Sequence, residues 1–217
     1  MNRTPRLCGV ILAAGASTRM GRDKALLPWP PAARGAAAVT AGTLLSAAIM
    51  ALRPVTDVVV VVAGKNLENL APVVDACGAS LVRNPAPERG QFSSLQVGLR
   101  EALARGCDAA MITPVDCPPL SAATLERLRA AFEEALARGR WGVAPENSGK
   151  HGHPLLASRE LMDAFLRAPA TSNARAIRHE HEQYIDYLAV PDSLVSVDLN
   201  TPEEYAALAE PGRSQAH

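Results

Sequence analysis

The chain has 217 residues, enough for one substantial hydrophobic core, and its 48% apolar and 20% charged content is that of a soluble globular protein. Its 22 basic and 22 acidic residues cancel, so no basic field points to a nucleic acid partner, and aromatics at 4% leave little for stacking bases. No apolar run approaches the ~20 residues that span a bilayer, so a small-molecule partner and no membrane are expected.

The first predicted element is the apolar run 7–12, a buried strand. It breaks into Leu12-Ala13-Ala14-Gly15-Ala16-Ser17-Thr18-Arg19-Met20-Gly21-Arg22-Asp23-Lys24. Small residues and glycine at the end of a strand leave backbone N–H groups free to face an anion, and Arg19 and Lys24 add two cations. That combination suits a polyphosphate, held by Leu12, Ala13, Ala14, Gly15 and Ser17 with Arg19 and Lys24. Two familiar phosphate loops are excluded by spacing. Gly15 and Gly21 are one residue too far apart for Gly-x-x-x-x-Gly-Lys-Ser/Thr, and Ser17 stands where a dinucleotide fingerprint needs its second glycine. Arg3 and Arg6 before this short run look superficially like a secretory signal, but cleavage there would destroy the motif.

Residues 29–42 are rich in Pro, Ala and Gly without a period and read as a flexible loop. Helical patterns follow at 43–52, 67–76, 94–104 and 122–137, alternating with strand-like runs at 58–62, 80–83, 109–113 and 142–144. Continuous apolar strands separated by helices predict a three-layer α/β/α fold around a mostly parallel sheet. Beyond residue 145, short strands are expected at 154–157, 184–188 and 194–198, giving the sheet an antiparallel edge. The sequence predicts one domain over 1–210 and a flexible tail over 211–217. Cys8, Cys77, Cys107 and Cys117 show no Cys-x-x-Cys pair and no zinc spacing, as expected of reduced thiols in a cytoplasmic protein.

Four further segments carry chemistry-bearing residues. Asn84-Pro85 runs through Gly90 to Ser93-Ser94-Leu95, where Ser93 or Ser94 is a natural helix N-cap. Thr113-Pro114-Val115-Asp116-Cys117-Pro118 follows a strand, and its prolines stiffen the turn bearing Asp116. A hard carboxylate opposite a phosphate site is what Mg²⁺ takes, since it binds one or two carboxylates plus substrate phosphates. His151-Gly152-His153-Pro154 pairs two imidazoles, but no further ligand completes a zinc site. In Asp198-Leu199-Asn200-Thr201-Pro202-Glu203-Glu204, Thr201 and Glu204 form a capping box, which leaves Asp198 and Asn200 unexplained.

Taken together these motifs resemble the molybdenum cofactor nucleotidyltransferases, the MobA-like NTP transferases, over roughly residues 7–208. The matching pieces are the Leu-Ala-Ala-Gly-x-Ser-x-Arg-Met-Gly-x-x-Lys loop, the Asn-Pro…Ser-Leu segment, Pro-x-Asp-x-Pro, Gly-His-Pro and the Asp-x-Asn-Thr-Pro-Glu end. The resemblance is closest to cytidylyltransferases and implies a Rossmann-like nucleotidyltransferase sheet. Arg19, Lys24 and Asp116 would be catalytic, and Asn84, Ser93 and Ser94 would join the loop in holding the nucleotide. Asp116 and Asn200 would hold Mg²⁺, with Asp198 as an orienting group that also faces the acceptor beside His153. It further implies CTP favoured over GTP, a phosphorylated acceptor such as molybdopterin, and an apo-molybdoenzyme or its chaperone as protein partner. A sugar- or alcohol-phosphate nucleotidylyltransferase and a non-catalytic nucleotide or cofactor carrier are the rival readings.

Overall fold

A computed structural model describes residues 4–15, 20–31, 42–169 and 171–209. Its strands are β1 (Leu7–Leu12), β2 (Pro28–Trp29), β3 (Gly42–Thr43), β4 (Val58–Ala63), β5 (Ser80–Arg83), β6 (Ala109–Pro114), β7 (Gly142–Asn147), β8 (Lys150–His151), β9 (Leu155–Ala157) and β10 (Ile185–Ala189). Its helices are α1 (Leu44–Leu52), α2 (Leu67–Ala76), α3 (Gln91–Ala104), α4 (Ala122–Ala137), α5 (Arg159–Arg167), α6 (Ala174–Glu180) and α7 (Pro202–Ala207).

The main sheet runs β10-β7-β9-β6-β1-β4-β5, with β8 attached to β7. β1 lies inside it, parallel to β4 with Leu12 opposite Val62, and parallel to β6 with Leu12 opposite Pro114. Side chains alternate between faces along each central strand, as the period of two requires. Leu7, Ile11, Val59, Val61, Ala109 and Met111 pack with Leu45 and Ile49 of α1, Leu70 of α2, and Leu128 and Phe132 of α4. Cys8, Val10, Val60, Val62, Ala110 and Ile112 pack on the other face with Phe92, Leu95 and Leu99 of α3, and Leu161 and Phe165 of α5. Both faces are therefore covered, which explains why these strands read as unbroken apolar runs. α3 approaches the sheet closely at Gly98, where a Cβ would lie 2.5 Å from Val10 Cγ1.

Several elements differ from the sequence expectation. α3 starts at Gln91 rather than 94, with Gly90 at φ +90° in the N-cap position, so neither Ser93 nor Ser94 caps it. The antiparallel strand does not lie at the edge. β9 runs antiparallel to both β6 and β7 inside the sheet, the outer β10 is parallel to β7, and β8 adds a second, short antiparallel pairing. The run 194–198 is no strand. Asp192 Oδ1 accepts from Leu194 N at 3.1 Å and caps a helical turn at Ser193–Ser196 that buries only Val195. Within 29–42, the ends pair as β2 and β3, Trp29 opposite Gly42, while 32–41 lie outside the described residues. So does the tail 211–217, and with it the boundary at 210.

Candidate active site

Three strands deliver their carboxyl ends to one cavity of about 240 Å³. Its wall includes Leu12, Ala13, Ala14 and Gly15 after β1, Lys24, Ser94 near the start of α3, and Asp116 after β6. A crevice outside the carboxyl ends of parallel strands is where such sheets bind ligands. Ser17 and Arg19, assigned to the same loop, lie outside the described residues.

Lys24 is at the centre of the site. It opens the short helical turn Lys24–Leu26, which Asp23 caps by accepting from Ala25 N at 3.0 Å. The residue is only 9% exposed. A lysine so buried needs a partner, and its Nζ lies 2.9 Å from Asp116 Oδ2 and donates to Asn200 Oδ1 at 3.1 Å. Residues from three distant parts of the chain thus converge on one ammonium group. The two oxygens, one charged and one neutral, are hard donors that here share the Lys24 ammonium. That donor set fits a Mg²⁺ ion completed by phosphate oxygens. Among the described residues, no group of three or more His, Cys, Asp or Glu side chains forms a metal cage.

The Asp116 turn is held from two sides. Val115 N donates to Leu12 O at 3.0 Å, and Leu199 N donates to Asp116 O at 2.9 Å. Cys117 Sγ donates to Asp198 Oδ1 at 3.3 Å, and burial followed by the Asp198 and Asp116 charges pushes the thiol far up. Cys117 is therefore a protonated bracket for the C-terminal segment. Thr201 and Glu204 form the expected capping box, and Glu204 Oε2 also accepts from Asn200 N at 2.6 Å.

Of the Asn84, Ser93 and Ser94 group, only Ser94 lines the cavity. Asn84 is buried behind it, donating to Ser93 Oγ and Ser94 Oγ at 2.9 Å each, while its Oδ1 accepts from Ala86 N at 3.0 Å. Ser93 Oγ donates to Gly90 O at 2.7 Å. The side chains of Asn84 and Ser93 therefore bond within the loop and lie outside the cavity wall. Asp23, Gly90 and Gln91 also line the cavity and were not singled out from the sequence. Asp23 offered only its place beside Lys24 as a signal.

A second cavity of about 390 Å³ adjoins the first and shares Leu12, Gly90 and Gln91 with it. Phe92, Leu95 and Leu155 give it an apolar floor, His153 lies in its wall, and Arg89, Arg175 and Arg178 surround it. His151 does not share a metal position with His153. Its Nε2 lies 3.2 Å from Glu146 Oε2 and its ring stacks on Tyr187 with centroids 3.6 Å apart. Burial and then the Arg178 charge hold the His153 pKa below 6.5, against the opposing pull of Asp198 and Asp116, and its buried Nδ1 has no hydrogen-bond partner. The unfolded chain therefore takes up this proton first as the pH falls through about 6.5, so the stability that neutral His153 contributes is present above that pH and lost below it. The urea midpoint is expected to fall between about pH 7 and 5, and to fall less in His153→Gln. An equal slope in the variant would remove His153 as the cause.

Residues 9–184 match the family model described as the MobA-like NTP transferase domain. The chain is 30% identical over 208 residues to a probable molybdenum cofactor guanylyltransferase of Mycobacterium avium, covering 94% of this chain and 96% of the relative. It is 23% identical over 202 residues to the molybdenum cofactor cytidylyltransferase of Escherichia coli, covering 93% and 94%. The fold is similar to the crystal structure of Rv0371c from Mycobacterium tuberculosis, with a TM-score of 0.73 at 25% identity over 96% of this chain and 99% of that one.

Proposed function

From the premise that this chain belongs to the MobA-like NTP transferase family, we propose that it transfers CMP, in preference to GMP, from a nucleoside triphosphate to the terminal phosphate of the molybdopterin cofactor, releasing pyrophosphate. The observation that carries this reading is the convergence of Lys24, Asp116 and Asn200 beside the loop backbone of Ala13, Ala14 and Gly15. Both curated relatives described above are named for the same cofactor along nearly their whole length, so the sugar-phosphate and carrier readings are not favoured.

In this reaction an oxygen of the acceptor phosphate attacks the α-phosphorus of the nucleotide. The bond from that phosphorus to the bridging oxygen breaks, and pyrophosphate leaves with the electron pair. The attacking phosphate is already ionised near neutral pH, so no general base is needed. Catalysis then consists of positioning and charge neutralisation. The backbone of Ala13–Gly15 faces the phosphates, and Lys24, with Arg19 from the same loop, neutralises charge gathering on the departing pyrophosphate. Asp116 and Asn200 would hold Mg²⁺, which supplies Lewis-acid stabilisation of phosphate oxygens when bound. The adjoining cavity with His153 and its arginines suits a phosphorylated, partly apolar acceptor, whereas Asp198 lines neither cavity and accepts from Cys117 Sγ.

Release of pyrophosphate by the purified protein with Mg²⁺, each nucleoside triphosphate and molybdopterin tests the reading, and no release with any nucleotide would overturn it. Lys24→Ala is expected to lower the rate roughly 10²-fold, the scale for losing one transition-state donor. A lower melting temperature with full activity per folded molecule would make Lys24 structural.

The preference for CTP rests on Ala14. Ala14 lines the cavity at the loop, where an alanine in place of glycine leaves less room for a base. A larger purine loses space there. CTP is expected to outcompete GTP by roughly tenfold at equal concentration, and Ala14→Gly to reduce that ratio. A clear GTP preference in the wild type would reverse the assignment.

A further inference from the structure

Asn66 ends the turn between β4 and α2 and occupies the N-cap position of α2. An asparagine there ordinarily accepts a hydrogen bond from an amide of the first helical turn. This one makes no such bond. Its Oδ1 accepts from Gly64 N at 3.0 Å, and its Nδ2 donates to Ala13 O at 3.0 Å and to Asp23 Oδ2 at 2.6 Å. A side chain that leaves its own helix uncapped to bond three other groups is serving those groups.

Each of the three belongs to the site or its frame. Gly64 follows β4. Ala13 is the first residue of the loop after β1. Asp23 caps the turn that begins with Lys24, its other oxygen accepting from Ala25 N at 3.0 Å. Asp23 also borders the cavity, where a loose carboxylate would repel phosphate and compete for the lysine. The Asn66 amide fixes that carboxylate from one side and the Ala25 amide from the other. Resting on the nucleotidyl-transfer reading, we infer that Asn66 is a positioning residue: through Asp23 it sets the backbone of Lys24 so that the ammonium meets Asp116 and Asn200 and is aimed at the departing phosphates.

The polarity of the contact gives the test its shape. Asn66→Ala removes the donor and leaves the Asp23 carboxylate held by the Ala25 amide on one side. Asn66→Asp sets a second carboxylate against Asp23. Exchanging the pair, Asp23→Asn with Asn66→Asp, keeps the net charge and restores an amide-to-carboxylate bond in the reverse sense, although Ala13 O then lacks its donor. Misplacing a catalytic group by about 1 Å costs up to roughly 10²-fold in rate. Asn66→Ala is therefore expected to lower kcat roughly 10–100-fold while KM for the nucleotide stays within about threefold. Asn66→Asp should be at least as impaired, and the exchanged pair should recover roughly tenfold over Asn66→Asp alone.

A second readout does not depend on turnover. The chain has three lysines, Lys24, Lys65 and Lys150, and the latter two are exposed. In protein labelled with ¹⁵N-lysine, the held Lys24 ammonium should give a slowly exchanging signal, assigned by its loss in Lys24→Arg. That signal should broaden or vanish in Asn66→Ala and return in the exchanged pair. A folded Asn66→Ala with wild-type kcat and an unchanged Lys24 signal overturns the inference. So does an exchanged pair no better than Asn66→Asp, which also decides the matter if Asn66→Ala fails to fold. Wild-type protein inactive with every nucleotide would remove the nucleotidyl-transfer reading, while the dependence of the Lys24 signal on Asn66 would still decide the positioning role.

Discussion

Asp116→Asn is expected to lower the rate of pyrophosphate release by more than roughly 10³-fold and to leave the chain folded. The substitution keeps the shape of the side chain and removes its charge. Two functions fail together. The proposed Mg²⁺ site loses its one charged protein ligand, leaving the neutral Asn200, and Lys24 loses the carboxylate 2.9 Å from its Nζ. Breaking a fully buried ion pair costs about 3–5 kcal/mol. This pair is less enclosed, with side chains 11% and 25% exposed, so the loss of stability should fall well below that. The turn itself is kept by backbone bonds from Val115 to Leu12 and from Leu199 to Asp116, which the variant retains. Raising Mg²⁺ should restore part of the activity by mass action. Asn200→Ala should show the same rescuable defect in milder form. Initial rates measured against Mg²⁺ for the wild type and both variants decide the point, and an unchanged metal dependence in Asp116→Asn would remove Asp116 from the metal site.

Gly152→Ala is expected to destabilise the protein by about 3 kcal/mol or more and to reduce activity per folded molecule as well. A Cβ on Gly152 would lie 1.8 Å from Val195 O and 2.4 Å from its carbonyl carbon. Both are backbone atoms, so no rotamer change relieves the overlap. His153 N donates to that same oxygen at 2.9 Å, and Gly152 N donates to Pro145 O at 2.9 Å, so neither segment can retreat without losing a hydrogen bond. The displaced turn leads directly to Asp198, the buried Leu199 and Asn200, so damage at Gly152 reaches the Lys24 partner. Urea unfolding gives the stability and initial rates give the activity. A wild-type unfolding midpoint would show that the turn moves aside freely and that this contact does not hold Asn200 in place.

The central strands were legible because β1, β4 and β6 are buried on both faces and so read as unbroken apolar runs. Asp116 was legible because it stands just beyond such a run among prolines, and Lys24 because it closes the glycine-bearing loop that follows another. The order of strands was not legible. Nothing in Leu155–Ala157 distinguishes an inner antiparallel strand from an outer one, since both need the same apolar residues. Residues 194–198 misled for a related reason: Leu194, Val195 and Val197 have strand-like composition, but the Asp192 cap and the pull of the Asp116 turn decide the backbone. The motif around Asn84 and Ser93 says nothing of the bonds their side chains make within the loop, which depend on how the chain folds back at Gly90. Asn66 carries no signal in the sequence beyond its place before α2. That its side chain turns away from the helix depends on Asp23, 43 positions earlier.

The reversed strand β9 has a consequence for how the site can change. Where all strands point one way, only segments leaving a strand arrive at the rim where the ligand lies, and segments entering a strand are confined to the far side. With Leu155 opposite Ile112, β9 begins at the rim where β6 ends. Gly152, His153 and Pro154 therefore enter their strand beside the segments that exit β1 and β6. In the proposed reaction, exits hold the nucleotide and an entrance borders the acceptor. On this proposal the two substrates are governed by stretches of chain that meet in space and are separate in sequence, so a substitution of the His153 side chain can retune acceptor choice while the nucleotide half of the site keeps its residues.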